Sequence, residues 1–179
     1  MWDYLCVLKA IRPRLPYFPA WENNLEGPNG PLIRWASGVP VPIKNFRGMA
    51  KFTKEMDNLF KQNKWIHFFP EGSMWFYYPD IRPLKKAVFK YAYKYDRPII
   101  PISMSFRPTR GIYKLFTKKP HVDLHIGEPL YADKSLPLNE SAEELKNRTY
   151  LVMQEMNGIT PSSPTFNTNQ DIFTYKKTM

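Results

Sequence analysis

Residues 65–73, Trp-Ile-His-Phe-Phe-Pro-Glu-Gly-Ser (WIHFFPEGS), carry the reading of this chain. The apolar, aromatic run between Lys64 and Pro70 has the composition of a buried β-strand. It ends in a Pro-Glu-Gly turn that sets a carboxylate, Glu71, at the strand's carboxyl end. Open α/β sheets place their ligand sites along that edge. Gly72 lets backbone come close to a ligand, and Ser73 adds a hydroxyl. Taken alone, this is one strand end with a solvated Glu. The spacing of what surrounds it decides otherwise.

Outward from the turn, periodicity alternates between helix and strand. Residues 3–11 read as a short helix stopped at Arg12-Pro13, with a strand near 14–18. Residues 21–31 are turn-rich, and 31–37 give a short helix ahead of Gly38 and a strand over 39–43. Residues 47–62 predict an amphipathic helix whose core face is Met49, Phe52, Met56, Leu59 and Phe60. A helix over 83–95 opens on Pro83 at its first turn, with Leu84, Ala87, Val88, Tyr91, Ala92 and Tyr95 inward and Lys86, Lys90 and Lys94 opposite. Further strands fall at 98–106 and 121–127, with 111–116 a weaker candidate. Ser141 and Glu144 form a capping box for a last helix to about residue 156. The order predicts an α/β layered fold, a mixed or mostly parallel sheet flanked by helices. One domain over 1–157 is followed by a polar tail over 158–179.

Charge narrows the partners. Against 16 Asp and Glu stand 26 Lys and Arg, a net +10, which favours phosphorylated substrates, acidic lipid headgroups or nucleic acid. No RNA- or DNA-reading motif accompanies that charge. A single Cys, Cys6, excludes an internal disulfide. The chain has no run of 18 apolar residues of the kind that crosses a bilayer. His121 and His125 have no Cys partner or carboxylate pair at ligand spacing, so no metal site is expected.

FFPEGS resembles the FPEG-Ser/Thr block of the glycerolipid acyltransferase family, which includes the 1-acylglycerol-3-phosphate acyltransferases. Three more blocks follow the family's order. SGVPVPIK at 37–44 is similar to its Gly-x-Ile-Pro-Val segment. RPLKKAVFKYA at 82–92 is similar to its Pro-Phe-Lys-Lys-Gly helix start, and RPIIPIS at 97–103 to its Val-Pro-Ile/Val strand. Four ordered blocks over roughly residues 1–130 outweigh any one of them. The family's first block, His-x-x-x-x-Asp, is represented by Asp3, so its His would be the third residue ahead of Met1.

The resemblance implies acyl transfer from acyl-CoA, or an acyl carrier protein, to the free hydroxyl of 1-acylglycerol-3-phosphate or a related lysophospholipid in phospholipid biosynthesis. That chemistry needs a base for the hydroxyl proton and donors for the carbonyl oxyanion. In the family the His is the base and the Asp orients it; here Asp3 takes the Asp's role. Glu71 would accept hydrogen bonds from the acceptor's glycerol portion, with Gly72 and Ser73 as the adjoining wall. The acceptor's phosphate needs cations. Where the family usually has Arg at the end of its second block, Lys44 or Arg47 is the candidate, and one placement leaves Ile43 there. Met74 likewise stands where Arg is common. Arg82, Lys85 and Lys86 gather at a helix start, itself favourable for anions.

His67 lies within the apolar run on the same side as Phe69 and reads as a structural histidine. The aromatics in residues 74–81 either line an acyl-chain path, sit at a bilayer interface or pack on the sheet. No cofactor is implied; the acyl thioester is a co-substrate. The resemblance also implies a chain held at the cytoplasmic face of a membrane without a spanning helix of its own. The competing reading is a lipid- or membrane-surface-binding relative that lacks the catalytic His and is inactive.

Overall fold

The computed structural model describes residues 2–42, 45–72, 80–117 and 119–159. The chain forms two compact units, Met1–Phe69 and Pro70–Met179.

In the first unit, helix α1 (Trp2–Ala10) precedes strand β1 (Phe18–Trp21), helices α2 (Glu22–Glu26) and α3 (Gly30–Trp35), strand β2 (Gly38–Val41) and helix α4 (Phe46–Lys61). β1 and β2 pair in parallel, Phe18 opposite Gly38, with α2 and α3 as the crossover between them. Tyr4, Phe18, Ala20, Leu25, Ile33 and Ala36 make the core beneath them. The hydroxyl of Tyr4 is shared between the carbonyls of Pro16 at 2.7 Å and Ala36 at 2.9 Å, which locks α1 to the segments entering β1 and β2. Burial pushes that phenol up to about 12.

Two sequence-based expectations shift here. The strand expected near 14–18 begins at Phe18, because Tyr17 pairs instead with Ile66. Within the turn-rich stretch 21–31, five residues wind into α2, since Leu25 is drawn into the core. α4 forms as the spacing predicts. Met56, Leu59 and Phe60 are buried, and Asn45 caps it by accepting from the amides of Arg47 at 3.0 Å and Gly48 at 3.3 Å.

The second unit holds helix α5 (Ala87–Tyr95), strand β3 (Ile102–Arg107), the 3-10 helix η1 (Gly111–Leu115), strand β4 (His121–Ile126) and helix α6 (Leu138–Met156). β3 and β4 form an antiparallel ladder, Ile102 opposite Ile126. Ahead of them Ile99 and Leu130 exchange two backbone bonds of 2.8 Å. Ile81, Leu84, Phe89, Ala92, Ala142, Leu145, Tyr150 and Met153 form the core between α5 and α6. Emptying the Phe89 site by Phe89→Ala would cost about 3–5 kcal/mol.

The α/β class stands, with its pairing parallel in the first unit and antiparallel in the second. The helix expected to open on Pro83 opens instead at Ala87, so its inward face turns. Phe89 becomes the most buried aromatic of the helix while Ala87 is exposed. Gly111 adopts φ +61, a left-handed value that breaks any strand there, and 111–115 coil as a 3-10 helix. Ser141 does not cap α6. That helix starts three residues earlier, and Ser141 is fully buried in its first turns. The tail beyond Ile159 and the aromatic stretch 73–79 lie outside the described residues. No described helix is long and apolar enough to cross a membrane.

Candidate active site

The run before the glutamate turn is less strand-like than its composition predicts. Residues 65–67 run beside the entrance to β1: Tyr17 donates to the Trp65 carbonyl at 2.9 Å, and His67 donates to the Tyr17 carbonyl at 2.7 Å. Pairing stops there, and Trp65 and Phe69 stay exposed. The Arg14 guanidinium sits 4.6 Å above the Trp65 ring, which shields part of that surface.

His67 behaves as expected of a structural histidine. Its ring meets Phe69 edge-on at 4.6 Å and lies 6.1 Å from Tyr4. Desolvation among these rings lowers its pKa to about 4, so the imidazole is neutral at physiological pH. A ring so reluctant to hold a proton is a weak general base.

In the second unit the turn itself is well defined. Gly72 adopts φ +76, a left-handed conformation that a side chain would strain. A Cβ placed there would lie 2.6 Å from both Cε and Nζ of Lys85. The Lys85 ammonium is therefore laid against the Gly72 backbone, beside Glu71 in sequence. The Lys85 amide also donates to the Pro70 carbonyl at 2.8 Å, closing the loop across the intervening residues. One cation and one carboxylate thus share a short, tied turn that is open to solvent at Gly72 and Lys85.

The segment carrying Lys85 is held from behind. Asp80 accepts from the Ile81 amide at 2.6 Å, and the Ile81 carbonyl accepts from the Tyr150 hydroxyl at 3.3 Å. Gln154 donates to that hydroxyl at 3.2 Å. Ile81 and Leu84 anchor the same segment in the α5–α6 core. Tyr150 and Gln154 escaped the sequence reading, because no local pattern ties residues some seventy positions from the segment they support. Their only local sign is an apolar helix face that carries two polar groups needing buried partners.

The cations expected around the turn separate into distinct roles. Arg82 is 3% exposed, so its charge is built into the interior of the unit. Both Arg82 and Glu71 have interactions of their own. Lys86 forms an ion pair with Glu143 of α6 at 3.2 Å. The Glu143 carboxyl is held below its ordinary range by hydrogen bonds from Lys146 first and then Lys86, against the opposing effect of burial. Lys90 and Lys94 are exposed, as their helical positions predict. Lys85 lies with its ammonium at the turn.

The remaining candidates belong to the first unit or lie outside the description. Arg47 is exposed in the first turn of α4. Asp3 falls in the first turn of α1. Its side chain, together with Lys44 and Ser73, lies outside the described residues. Elsewhere, Ser105 hydrogen-bonds His125 at 2.8 Å across β3 and β4, and Arg107 pairs with Asp123 at 2.7 Å. Among the described residues no three His, Cys, Asp or Glu side chains gather as a metal site would require.

Residues 1–105, more than half of the chain, match the family described as Acyltransferase. No curated protein matches the sequence. Among solved structures, the 1-acyl-sn-glycerophosphate (LPA) acyltransferase PlsC from Thermotoga maritima is similar, at 22% identity and a TM-score of 0.43. The match covers 75% of this chain and 56% of that one, so the chain spans little more than half the length of the protein it matches.

Proposed function

The chain belongs to the Acyltransferase family, and on that premise we propose that it serves an acyltransferase acting on a lysophospholipid. The donor is acyl-CoA or an acyl carrier protein, and the acceptor is 1-acylglycerol-3-phosphate or a close relative. The products are a phosphatidic-acid-type lipid and a free thiol.

In this reading the acceptor hydroxyl attacks the thioester carbonyl while a histidine takes its proton. The tetrahedral intermediate collapses with loss of the thiolate, which receives that proton. The acceptor's own hydroxyl stands where serine stands in a hydrolase triad, so no covalent enzyme intermediate forms. Asp3 orients that histidine. Glu71 accepts hydrogen bonds from the glycerol portion, and Ser73 adjoins it. Lys85 neutralises the phosphate. The lysophospholipid acceptor partitions to bilayers, and in this reading the protein works at the cytoplasmic surface of a membrane.

The observation that carries this reading is the Glu71-Gly72 turn with Lys85 laid across it. A carboxylate suited to hydroxyls and a cation suited to phosphate are offered together, over a backbone bare of side chain. The test is Glu71→Gln in a form of the chain that has acyltransferase activity. A substrate-facing carboxylate predicts a large fall in kcat/KM at an almost unchanged Tm. A fall of several degrees in Tm with kinetics intact would assign Glu71 to structure instead.

A further inference from the structure

The excursion between β3 and β4, residues 107–120, reads RPTRGIYKLFTKKP and holds five Lys and Arg and no Asp or Glu. It is a closed structure. At its base the Thr109 hydroxyl donates to the Lys119 carbonyl at 2.6 Å, and Thr109 is buried. One step further on, the Lys119 amide donates to the Thr117 hydroxyl at 3.1 Å. Arg107 is tied to Asp123 across the ladder, which leaves Arg110, Lys114 and Lys119 among the described cations of the excursion itself.

On this tied base η1 and the residue that follows it display apolar side chains to water. Ile112 is 66% exposed, Leu115 82% and Phe116 80%. Single exposed apolar residues are ordinary, but three within five positions, in an excursion with no acidic residue, are a patch with a stated chemistry. In the same excursion Pro108, Thr109, Lys114, Thr117 and Pro120 line an open hollow, and no described candidate active-site residue is among them.

We propose that this excursion is a membrane-docking element that inserts Ile112, Leu115 and Phe116 among the acyl chains of an anionic lipid surface. Arg110, Lys114 and Lys119 meet the headgroup phosphates around them. Apolar tips with a basic collar match the bilayer interface layer by layer: hydrocarbon below, negative phosphate above. The long stems of lysine and arginine let their charges stay at headgroup depth while the apolar tips go deeper. An acidic protein would satisfy the collar and leave the tips without a reason. None of the residues named in the element is among those assigned to acyl transfer, so docking and catalysis can fail separately.

The experiment is co-sedimentation of the full chain with vesicles of phosphatidylcholine alone, or with one third phosphatidylglycerol, at low and high salt. Binding to the anionic vesicles should weaken as salt rises and be far weaker on neutral ones. The double variant Leu115→Ser/Phe116→Ser should bind at least ten-fold more weakly. Lys114→Ala should lose about five-fold, as one cation near an anionic surface accounts for. Trp35→Ser and Phe46→Ser, at exposed apolar positions of the first unit, should bind like the parent. All substituted side chains are exposed, and an unchanged thermal melt verifies each fold. Failure of the parent to bind anionic vesicles, or equal binding by the double variant, would overturn the proposal. So would losses at Trp35 or Phe46 that match those at Leu115 and Phe116. Turnover of a short-chain, water-soluble acceptor is read in parallel. It should be unaffected by these substitutions, which separates docking from the proposed chemistry.

Discussion

Lys85 lies against the backbone of Gly72, close enough that a single added methyl would meet both Cε and Nζ at 2.6 Å. The same lysine's amide holds the Pro70 carbonyl at 2.8 Å. The residue that offers the turn its cation also fixes the turn's shape, and three predictions start from that relation.

Gly72→Ala should be costly twice over. Its φ of +76 carries about 1–2 kcal/mol of strain once a Cβ is present, a fall of roughly 2–8 °C in Tm for a chain of this size. The displaced ammonium should also raise acceptor KM. An unchanged melt and unchanged KM would show that the turn is looser than described.

Lys85→Ala and Lys86→Ala should part company. Lys85→Ala should raise acceptor KM by about 10- to 150-fold, the worth of one charge-assisted hydrogen bond of roughly 1.5–3 kcal/mol, with donor KM much less affected. Lys86→Ala loses a partly exposed pair with Glu143 and should cost at most about 1 kcal/mol of stability with KM unmoved. Steady-state kinetics on both, with Lys90→Ala and Lys94→Ala as solvent controls, decide the matter. Equal losses at all four would point to diffuse attraction in place of a phosphate site.

Tyr150→Phe tests the support behind the turn. It deletes the hydroxyl that meets the Ile81 carbonyl and the Gln154 amide, at a cost of about 1 kcal/mol or somewhat more in urea unfolding. If the 80–86 segment holds Lys85 in place, acceptor KM should rise as well. A stability loss with unchanged KM would confine Tyr150 to core packing.

These relations also mark where local pattern stops being informative. The apolar spacing of α4 sufficed because Met56, Leu59 and Phe60, which it marks as one face, are all buried, and Asn45 supplies an ordinary cap. The start of α5 was not legible. Pro83 suits a helix's first turn, but the amide of Lys85 is spent on Pro70 and the carbonyl of Ile81 on Tyr150, so residues 81–85 stay outside the helix. Ser141 followed by Glu144 has the form of a capping box, yet burial drew Ser141 into α6. The Glu-Gly turn was legible from its motif. The division of labour among Arg82, Lys85 and Lys86 was not, because it depends on the burial of Arg82 and on Glu143, distant in sequence.

His67 gives the fold a pH dependence of known sign. Its pKa is about 4 in the native protein against 6.5 ordinarily, because burial disfavours the charged ring. Between those values the unfolded chain binds a proton that the folded chain refuses, so stability falls as pH drops through that window. Above pH 6.5 the contribution is intact. Across the window the loss amounts to a few kcal/mol, at about 1.4 kcal/mol per pH unit. Urea midpoints at pH 7 and pH 5 should differ less for His67→Asn than for the parent. An equal difference in the two proteins would mean that the ring is already solvated.

The central claim is that this chain contributes Asp3 and the Glu71 turn to acyl transfer. The most direct measurement is acceptor-dependent release of free thiol from acyl-CoA, made on a longer form of the chain with histidine five residues before Asp3. The same form with alanine at that position is the comparison. The account predicts thiol release matched one for one by phosphatidic acid, and a loss of about 10²- to 10⁴-fold without the histidine. Equal turnover by the two forms, or no acceptor-dependent thiol from either, would contradict it.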